Sequence, residues 1–327
     1  MPVDTTLAER LLSEMKATDG TISGGEVSRT LGVTRAALWK QVQALRRLGY
    51  EIESTPRVGY RLVSAPDVPY PWELRDGLRS KRFGQQAYHC DALGSTQDEA
   101  RRLAGEGAPE GTVVVAETLD AARGRMGRAY VTPPGGLWFS LLLRPRRSPE
   151  QVIALSLLVA VGVHQGIEGV TGLRSTVRWP NDLLLDGRKI VGILIEMDSE
   201  QDVLRHAIVG IGINVNVRMR DFPKDVQPIA TSLREALGRD VPRVALLQRT
   251  LERMEALYDT YLERGPRSVL DAWRALPTIL GQRVAVEELR ERWEGTATDL
   301  DDEGALLVRR DDGAVQRVLA GDVRIVT

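Results

Sequence analysis

The 327-residue sequence has one cysteine, three histidines and only 5% aromatic residues. A single cysteine, Cys90, excludes a disulfide framework and a cysteine-based zinc site. His89, His164 and His206 lack the spacing of metal ligands, so we expect no metal site. No charged and apolar leader is recognisable, and the most apolar window, Val152–Val163, is too short to cross a bilayer. These absences favour a soluble, cytoplasmic protein that has no membrane partner.

Positive and negative charges nearly cancel, with 44 basic and 45 acidic residues. Local charge clusters are therefore more informative than the net charge. A chain of this length predicts two or three domains. It contains no P-loop sequence for holding ATP phosphates and no Gly-x-Ser-x-Gly nucleophile elbow, which excludes two common classes of enzyme.

Residues 1–63 predict a small DNA-binding domain. A helix, a tight turn at Gly32 and a second helix from Thr34 to about Leu48 form a helix-turn-helix pattern. The second helix carries four basic residues and no acidic residue, which suits contact with phosphates. Two strands joined around Pro56–Gly59 predict a wing. A helical protein-docking module with a basic face is the alternative. The residues expected to contact DNA are Thr34, Arg35, Lys40, Arg46 and Arg47.

Residues 64–71 contain three prolines and predict a linker to a mixed α/β domain over residues 72–276. In that domain, Thr96 and Glu99 predict a capping box at the start of a helix. Free N–H groups and hydroxyls at a helix start can hold an acceptor group of a ligand, although capping alone is the commoner use. Ser148-Pro149 predicts the start of an apolar core helix by the same logic.

The segment Ala122–Arg128 alternates glycine and arginine between two apolar stretches. Glycine allows close approach of the backbone, and arginine offers a planar fork that matches phosphate oxygens. The segment therefore predicts a loop that wraps a polyanion, with a solvated basic loop as the alternative.

A Trp-Pro pair precedes Asn181 and Asp182 and predicts a turn with polar groups at its edge. Asp186-Gly187 then predicts a hairpin turn, after which Lys189 enters an apolar strand over Ile190–Met197. A lysine at the mouth of such a strand can reach a carboxylate or a phosphate, whereas an exposed turn lysine is the alternative.

Two further patterns complete the chain. Val209–Val217 predicts a strand in which Gly210 and Gly212 let a ligand lie against the backbone. Over residues 277–327, short strands separated by Asp-Gly turns predict a small antiparallel barrel.

Taken together and in this order, these runs resemble the bifunctional biotin protein ligases that also repress the biotin operon (BirA type). The resemblance implies a multidomain α/β (α+β) fold. Its parts are a winged helix-turn-helix, a mixed α/β ligase domain of the class II synthetase-like type and a small SH3-like β-barrel. It implies that biotin and ATP, with Mg²⁺ required and no tightly bound cofactor, give biotinyl-5′-AMP. Biotin then passes to a lysine of the biotin carboxyl carrier protein, a subunit of acetyl-CoA carboxylase. The adenylate-bound protein is expected to form a homodimer and repress biotin genes by binding operator DNA.

The resemblance also implies roles for individual residues. Lys189, Arg123 and Arg125 are expected to be catalytic, because they offset negative charge on the carboxylate and the phosphates. Asn181 and Asp182 are expected near ATP and magnesium. The residues expected to bind biotin or the adenylate are Ser95, Thr96, Gln97, Arg123, Gly124, Arg125, Lys189, Gly192, Gly212 and Asn214.

Two positions depart from the family pattern. Leu119 stands where the family usually has a glutamine that contacts the ureido ring of biotin, and Ala122 replaces a glycine. A missing partner for a desolvated polar group costs about 1–3 kcal/mol, unless a neighbour such as Thr118, Asp120 or Gln97 compensates. The departures leave two alternatives: a ligand-sensing transcriptional regulator with weakened catalysis, or a ligase for lipoate or octanoate.

Overall fold

The computed structural model describes residues 5–18, 20–145, 152–200, 203–288, 291–319 and 321–326. Those residues form two compact units, of which the first ends at Val68 and the second begins at Pro69. The predicted helix start at Ser148-Pro149 lies outside the described residues.

The first unit contains three helices and a hairpin: α1 (Thr5–Ala17), α2 (Gly24–Leu31), α3 (Arg35–Arg47), β1 (Glu51–Thr55) and β2 (Gly59–Ser64). Gly32 ends α2 in a left-handed conformation (φ 69°), which glycine adopts without strain. The Thr34 hydroxyl then accepts a hydrogen bond from the Ala37 amide at 3.1 Å, so α3 begins at the predicted cap. The predicted helix-turn-helix is therefore confirmed.

The wing is the antiparallel pair of β1 and β2. Next to the turn of this hairpin, Ile22 and Tyr60 exchange both backbone hydrogen bonds, at 2.8 and 3.0 Å. A Cβ atom on Gly59 would lie 1.8 Å from the Ile22 carbonyl oxygen, so this close approach requires glycine. The hairpin is thereby fixed to the segment that precedes α2.

The second unit begins with α4 (Pro71–Arg75), β3 (Ala87–Leu93), α5 (Thr96–Gly105), β4 (Val113–Leu119), β5 (Leu137–Leu143), α6 (Val152–Thr171), β6 (Thr176–Arg178), β7 (Asp182–Leu185), β8 (Arg188–Glu200) and β9 (Val203–Ile213). It continues with α7 (Leu233–Leu237), α8 (Arg243–Arg264), α9 (Arg267–Arg274), β10 (Arg283–Glu287), β11 (Arg292–Leu300), β12 (Leu306–Arg309), β13 (Val315–Val318) and β14 (Asp322–Ile325). A seven-stranded mixed sheet has the order β3-β4-β5-β9-β8-β7-β6. This architecture confirms the predicted mixed α/β domain.

Helix α6 is the core helix of this unit. By length and composition it could cross a membrane, but two thirds of its apolar window is buried inside the protein. Gly162 and Gly166 face α8, where a Cβ atom would lie 2.5 Å from Met254 Cγ and 2.4 Å from Thr250 Oγ1. The two glycines therefore allow α6 and α8 to pack at close range.

The predicted capping box at Thr96 and Glu99 is wrong. Ser95 caps α5, because its backbone is extended while Thr96 is already helical. Its Oγ accepts hydrogen bonds from the Gln97 and Asp98 amides at 3.2 and 3.4 Å. The Glu99 carboxylate instead pairs with Arg102 at 2.7 Å, one turn further along the helix.

Two predicted boundaries also lie elsewhere. The end of the linker 64–71 is packed, since Pro71 begins α4 and Tyr70 stacks on Trp72 at 5.0 Å between ring centroids. Strand β9 ends at Ile213, before the predicted Val217, and the side-chain amide of the next residue, Asn214, donates to the Thr231 carbonyl at 2.9 Å.

The C-terminal strands form a five-stranded antiparallel sheet in the order β13-β12-β11-β10-β14. Strand β14 was not predicted, because four residues without clear alternation carry little signal. Trp179, 1% exposed, donates from Nε1 to the Gly304 carbonyl oxygen at 2.9 Å. This bond attaches the turn before β12 to the region around β6 and β7.

Candidate active site

One cavity of about 510 Å³ gathers all twelve residues that the sequence assigned to the ligase site. Its walls come from the start of α5, the loop after β4, strands β8 and β9, and strand β14. The twelve are Ser95, Thr96, Gln97, Arg123, Gly124, Arg125, Asn181, Asp182, Lys189, Gly192, Gly212 and Asn214. Residues separated by more than 100 positions thus share one site.

The start of α5 brings three polar side chains to the cavity. Ser95 is the cap described above, and Thr96 lies 2.8 Å from Ser140 Oγ on β5. Gln97 donates from Nε2 to the Glu196 carboxylate at 2.8 Å, and its side chain covers Gly210. Glycine at position 210 is required here, because a Cβ atom would lie 2.6 Å from Gln97 Cδ.

The glycine-arginine loop is a small hairpin that folds back on itself. The Gly124 amide donates to the Arg128 carbonyl at 2.7 Å, and the Tyr130 amide donates to the Ala122 carbonyl at 3.1 Å. Arg123 pairs with Asp98 of α5 at 2.6 Å. The Arg123 hydrogen bond is the main cause that lowers the pKa of the Asp98 carboxyl below its usual value.

The second loop arginine reaches a different wall. Arg125 Nη1 donates to Asn181 Oδ1 at 3.3 Å, while Asn181 Nδ2 donates to the Ile193 carbonyl at 2.5 Å. The loop therefore connects α5 with the turn before β7.

Lys189 is held by the Asp182 carboxylate, whose side chain is 14% exposed. Its Nζ lies 2.6 Å from Asp182 Oδ1, and Arg178 lies 2.5 Å from the other Asp182 oxygen. Burial by itself would raise the pKa of the Asp182 carboxyl, but the two cations outweigh it and hold that pKa below its usual value. Asp182 thus stays ionised and keeps the Lys189 ammonium at the cavity wall.

Sequence reasoning did not identify Tyr130. Its ring lies against Gly192 and Gly212, where a Cβ atom would come within 2.9 and 2.8 Å of ring atoms. Its hydroxyl donates to the Gly212 carbonyl at 3.3 Å, and Lys189 Nζ is 5.8 Å from the ring centroid. Burial raises the pKa of this hydroxyl, which stays protonated. Gly212, predicted to let a ligand lie against the backbone, thus admits this ring together with Gly192.

The C-terminal sheet supplies one wall of the cavity. Arg128 of the loop pairs with Asp322 of β14, and Asp322, Val323 and Arg324 line the cavity. The run Gly321-Asp322-Val323 is part of the family resemblance, but the sequence did not assign Asp322 to the site, and its strand was not predicted.

Three family sequence models match the chain. Residues 93–214 match the Biotin/lipoate A/B protein ligase family, residues 8–61 match an HTH domain, and residues 279–325 match the Biotin protein ligase C terminal domain. The Bifunctional ligase/repressor BirA of Bacillus subtilis is 40% identical over 305 residues, which cover 93% of this chain and 94% of that protein.

The chain belongs to the BirA family of bifunctional ligase/repressors. The Biotin--[acetyl-CoA-carboxylase] ligase of Mycobacterium tuberculosis is 33% identical over 76% of this chain and 93% of that protein. Among solved structures, the biotin protein ligase of Aquifex aeolicus in complex with biotin and ATP is 28% identical. It matches with a TM-score of 0.64 over 74% of this chain and all of that one. The family inferred from the sequence motifs is confirmed.

The structure shows what surrounds Leu119, the position that departs from the BirA family pattern. Leu119 lines the cavity and packs with Tyr130 against a cluster that contains Trp138. Its carbonyl oxygen accepts a hydrogen bond from the Thr132 hydroxyl at 3.1 Å. The side chain therefore presents an apolar surface where a glutamine amide is usual in this family.

Asn181 and Asp182 do not fit the magnesium role that the BirA family implies. Both oxygens of Asp182 already face cations, and both ends of the Asn181 amide are engaged as described above. Within the described ranges, no group of three or more His, Cys, Asp or Glu side chains has metal-binding geometry. We therefore assign both residues to positioning Lys189 and the arginine loop.

The helix expected to bind DNA presents most of its basic residues to solvent. Arg35, Lys40 and Arg47 are exposed, and Trp39 between them is 54% exposed. Arg46 differs, because its guanidinium donates to the Ile52 carbonyl at 2.9 Å and to Ser54 Oγ at 2.7 Å. In this unit Arg46 attaches α3 to the wing.

Proposed function

We propose that the protein joins biotin to ATP, releases pyrophosphate, and passes biotin from biotinyl-5′-AMP to a lysine of the biotin carboxyl carrier protein. The observation that carries this proposal is the single cavity that unites Lys189, two loop arginines and the polar start of α5. We assign DNA binding to the first unit up to the end of β2, with the residues between β2 and α4 as the linker. We assign ligase chemistry to 72–276 and completion of the cavity wall to 277–327.

The first step brings together two anions. A biotin carboxylate oxygen forms a bond to the α-phosphorus of ATP as pyrophosphate leaves, so negative charge concentrates between the reactants. Lys189 is placed to hold the carboxylate and offset this charge, while Arg123 and Arg125 neutralise the phosphates. In the second step the carrier amine attacks the acyl carbon and AMP leaves.

The arginine loop has a second task. The adenylate is a mixed anhydride that water hydrolyses, so a loop that covers it prevents a wasteful reaction. Contacts from this loop to α5, to Asn181 and to Asp322 support a covering position over the cavity. We expect Mg²⁺ to accompany ATP, and we derive no step through it.

Calorimetric titration with biotin, followed by ATP-dependent transfer to a purified carrier domain, tests this function. We expect saturable binding and labelling of the carrier, with no labelling of a carrier whose acceptor lysine is replaced by arginine. Folded protein that neither binds biotin nor labels the carrier at high concentration would overturn the ligase assignment. It would then favour a regulator that senses another ligand, whereas competition by lipoate alone would favour a lipoate ligase.

Leu119→Gln is expected to tighten biotin binding about tenfold. The amide restores a hydrogen-bonding partner worth roughly 1 kcal/mol or more at a desolvated head group. Titration calorimetry of both proteins measures the change, with Leu119→Met as a size-matched apolar control that should leave affinity within about twofold. If Leu119→Gln weakens binding, the wild-type pocket has its own compensating partner.

We also propose that the first unit binds operator DNA and represses biotin genes, with the adenylate-bound homodimer as the active repressor. The exposed basic face of α3 supports this role. Sedimentation with and without biotinyl-5′-AMP tests the dimer, which should appear with the adenylate. We expect this protein to work in the cytoplasm.

Replacing both Arg35 and Lys40 by alanine is expected to weaken binding to a mixed-sequence 30-bp DNA duplex. Each lost phosphate contact should reduce the magnitude of the slope of log K against log salt by about one. The double variant should therefore reduce this magnitude by about two. Fluorescence anisotropy across a salt series measures this slope. Arg61→Ala is the control, because Arg61 is already paired with Glu53 on the wing. Loss of carrier labelling in the double variant would indicate misfolding instead.

A further inference from the structure

A pair of hydroxyl groups lies behind the cavity wall. Ser140 Oγ on β5 is 2.8 Å from Thr96 Oγ1 at the start of α5. Ser140 is 0% exposed and does not line the cavity, whereas Thr96 is 4% exposed and does. The two side chains form a contact from the sheet to the site.

The direction of this hydrogen bond follows from the surroundings. Within the described part of the chain, the Ser140 hydroxyl makes no other hydrogen bond. If Thr96 donated, the Ser140 proton would be buried without an acceptor, which is costly, whereas an unused lone pair costs little. Ser140 therefore donates, and the hydroxyl proton of Thr96, which lines the cavity, is left available for another acceptor.

The neighbouring hydroxyl of Ser95 is also left as a hydrogen-bond donor. Ser95 Oγ already accepts from the Gln97 and Asp98 amides, so its proton is also left for a ligand. Leu119, on the same cavity, offers no side-chain acceptor. The Ser95 and Thr96 hydroxyls thus offer two hydrogen-bond donors to whatever binds there, next to the Gln97 amide, whose Nε2 is bound to Glu196.

We propose that Ser140 is a positioning residue that fixes Thr96 as a donor, and that the pair selects a head group with a carbonyl acceptor over one with N–H donors only. The inference rests on the proposed function, because biotin, the proposed substrate, carries a urea carbonyl that can act as this acceptor. Ser140 acts through Thr96 and touches no substrate.

Comparison of biotin with 2-iminobiotin tests the polarity of this wall. The analogue replaces the urea oxygen by nitrogen, and its protonated head carries N–H donors only. We expect the wild-type protein to bind biotin at least about a hundredfold more tightly, by calorimetry. Ser140→Ala should weaken biotin about tenfold, change 2-iminobiotin less than twofold, and so narrow the ratio of the two affinities about tenfold.

Two controls separate this role from a structural one. Ser175→Ala removes another serine that is 0% exposed, away from the cavity, and should leave the ratio unchanged. In a Thr96→Val background, Ser140→Ala should have no further effect on the ratio of the two affinities, because the hydroxyl that Ser140 positions is already absent. If Ser140→Ala does not fold, Ser140→Cys keeps the size with a weaker donor and should give an intermediate ratio.

If folded Ser140→Ala or Ser140→Cys has the same ratio of biotin to 2-iminobiotin affinity as the wild-type protein, this inference is overturned and the proposed function is not. The inference is also overturned if Ser140→Ala narrows this affinity ratio as much in the Thr96→Val variant as it does in the wild-type protein. Failure of the wild-type protein to bind biotin would overturn the proposed function, and this inference with it.

Discussion

Lys189→Ala is expected to lower the rate of adenylate formation by about a hundredfold to a thousandfold, the usual effect of removing one preorganised charge partner from a transition state. Lys189 is the cation that Asp182 holds at the cavity wall, 2.6 Å away. Without it, the biotin carboxylate and the α-phosphate approach with less neutralisation. Pyrophosphate release at saturating biotin and ATP measures the effect.

The matched control is Lys81→Ala, because Lys81 is exposed and does not line the cavity. Its adenylation rate should equal that of the wild-type protein. An unchanged rate in Lys189→Ala would remove this residue from the mechanism. A large fall in the denaturation midpoint would instead assign the effect to stability.

Asp182→Asn is expected to lower the free energy of unfolding by about 2 kcal/mol, since breaking a partly buried ion pair leaves uncompensated charge. Asp182 is the common partner of Arg178 and Lys189, so its neutral replacement leaves two cations side by side. The variant should also adenylate slowly, because Lys189 loses its position. Denaturant unfolding near pH 7 gives the stability, and pyrophosphate release gives the rate.

The same variant has a defined pH signature. The folded-state pKa of Asp182 is lowered, so its contribution to stability is fully present above the unfolded pKa of about 3.9 and is lost as the pH falls through the folded value. The stability difference between wild type and Asp182→Asn should therefore be constant above about pH 5 and shrink below about pH 4. Asp311→Asn, an exposed partner of Arg283, should show little effect. A difference that stays constant into acid would exclude an ionised Asp182.

Local features of this fold were accessible from the sequence. Thr34 caps α3 as predicted, and Asp186-Gly187 turns β7 into β8 with positive φ at both residues (48° and 74°). Such features depend on a few neighbouring residues, whose steric and hydrogen-bonding preferences act without help from distant parts of the chain. The error at Thr96 was also local, because two hydroxyl residues in succession compete for the cap and only the backbone conformation decides between them.

The contacts that the predicted functional residues make were harder to predict from the sequence. Asp98 holds Arg123 across 25 positions, and Arg46 is bound to the wing rather than directed to solvent. Tyr130 fills the space above Gly192 and Gly212, whereas the sequence predicted only that a ligand lies against Gly212. These contacts depend on how the loop and the sheet pack, and no pattern of spacing records that packing.

The sequence by itself determined the family, the helix-turn-helix with its wing, and the residue types of the site, because glycine, proline, arginine and capping residues act through local backbone chemistry. Tertiary structure alone decided that Asp182 holds Lys189, that Tyr130 lies over Gly212, and that Ser140 stands behind Thr96. The reason is physical. Burial and ion pairing between distant segments exist only after the sheet and its helices have packed.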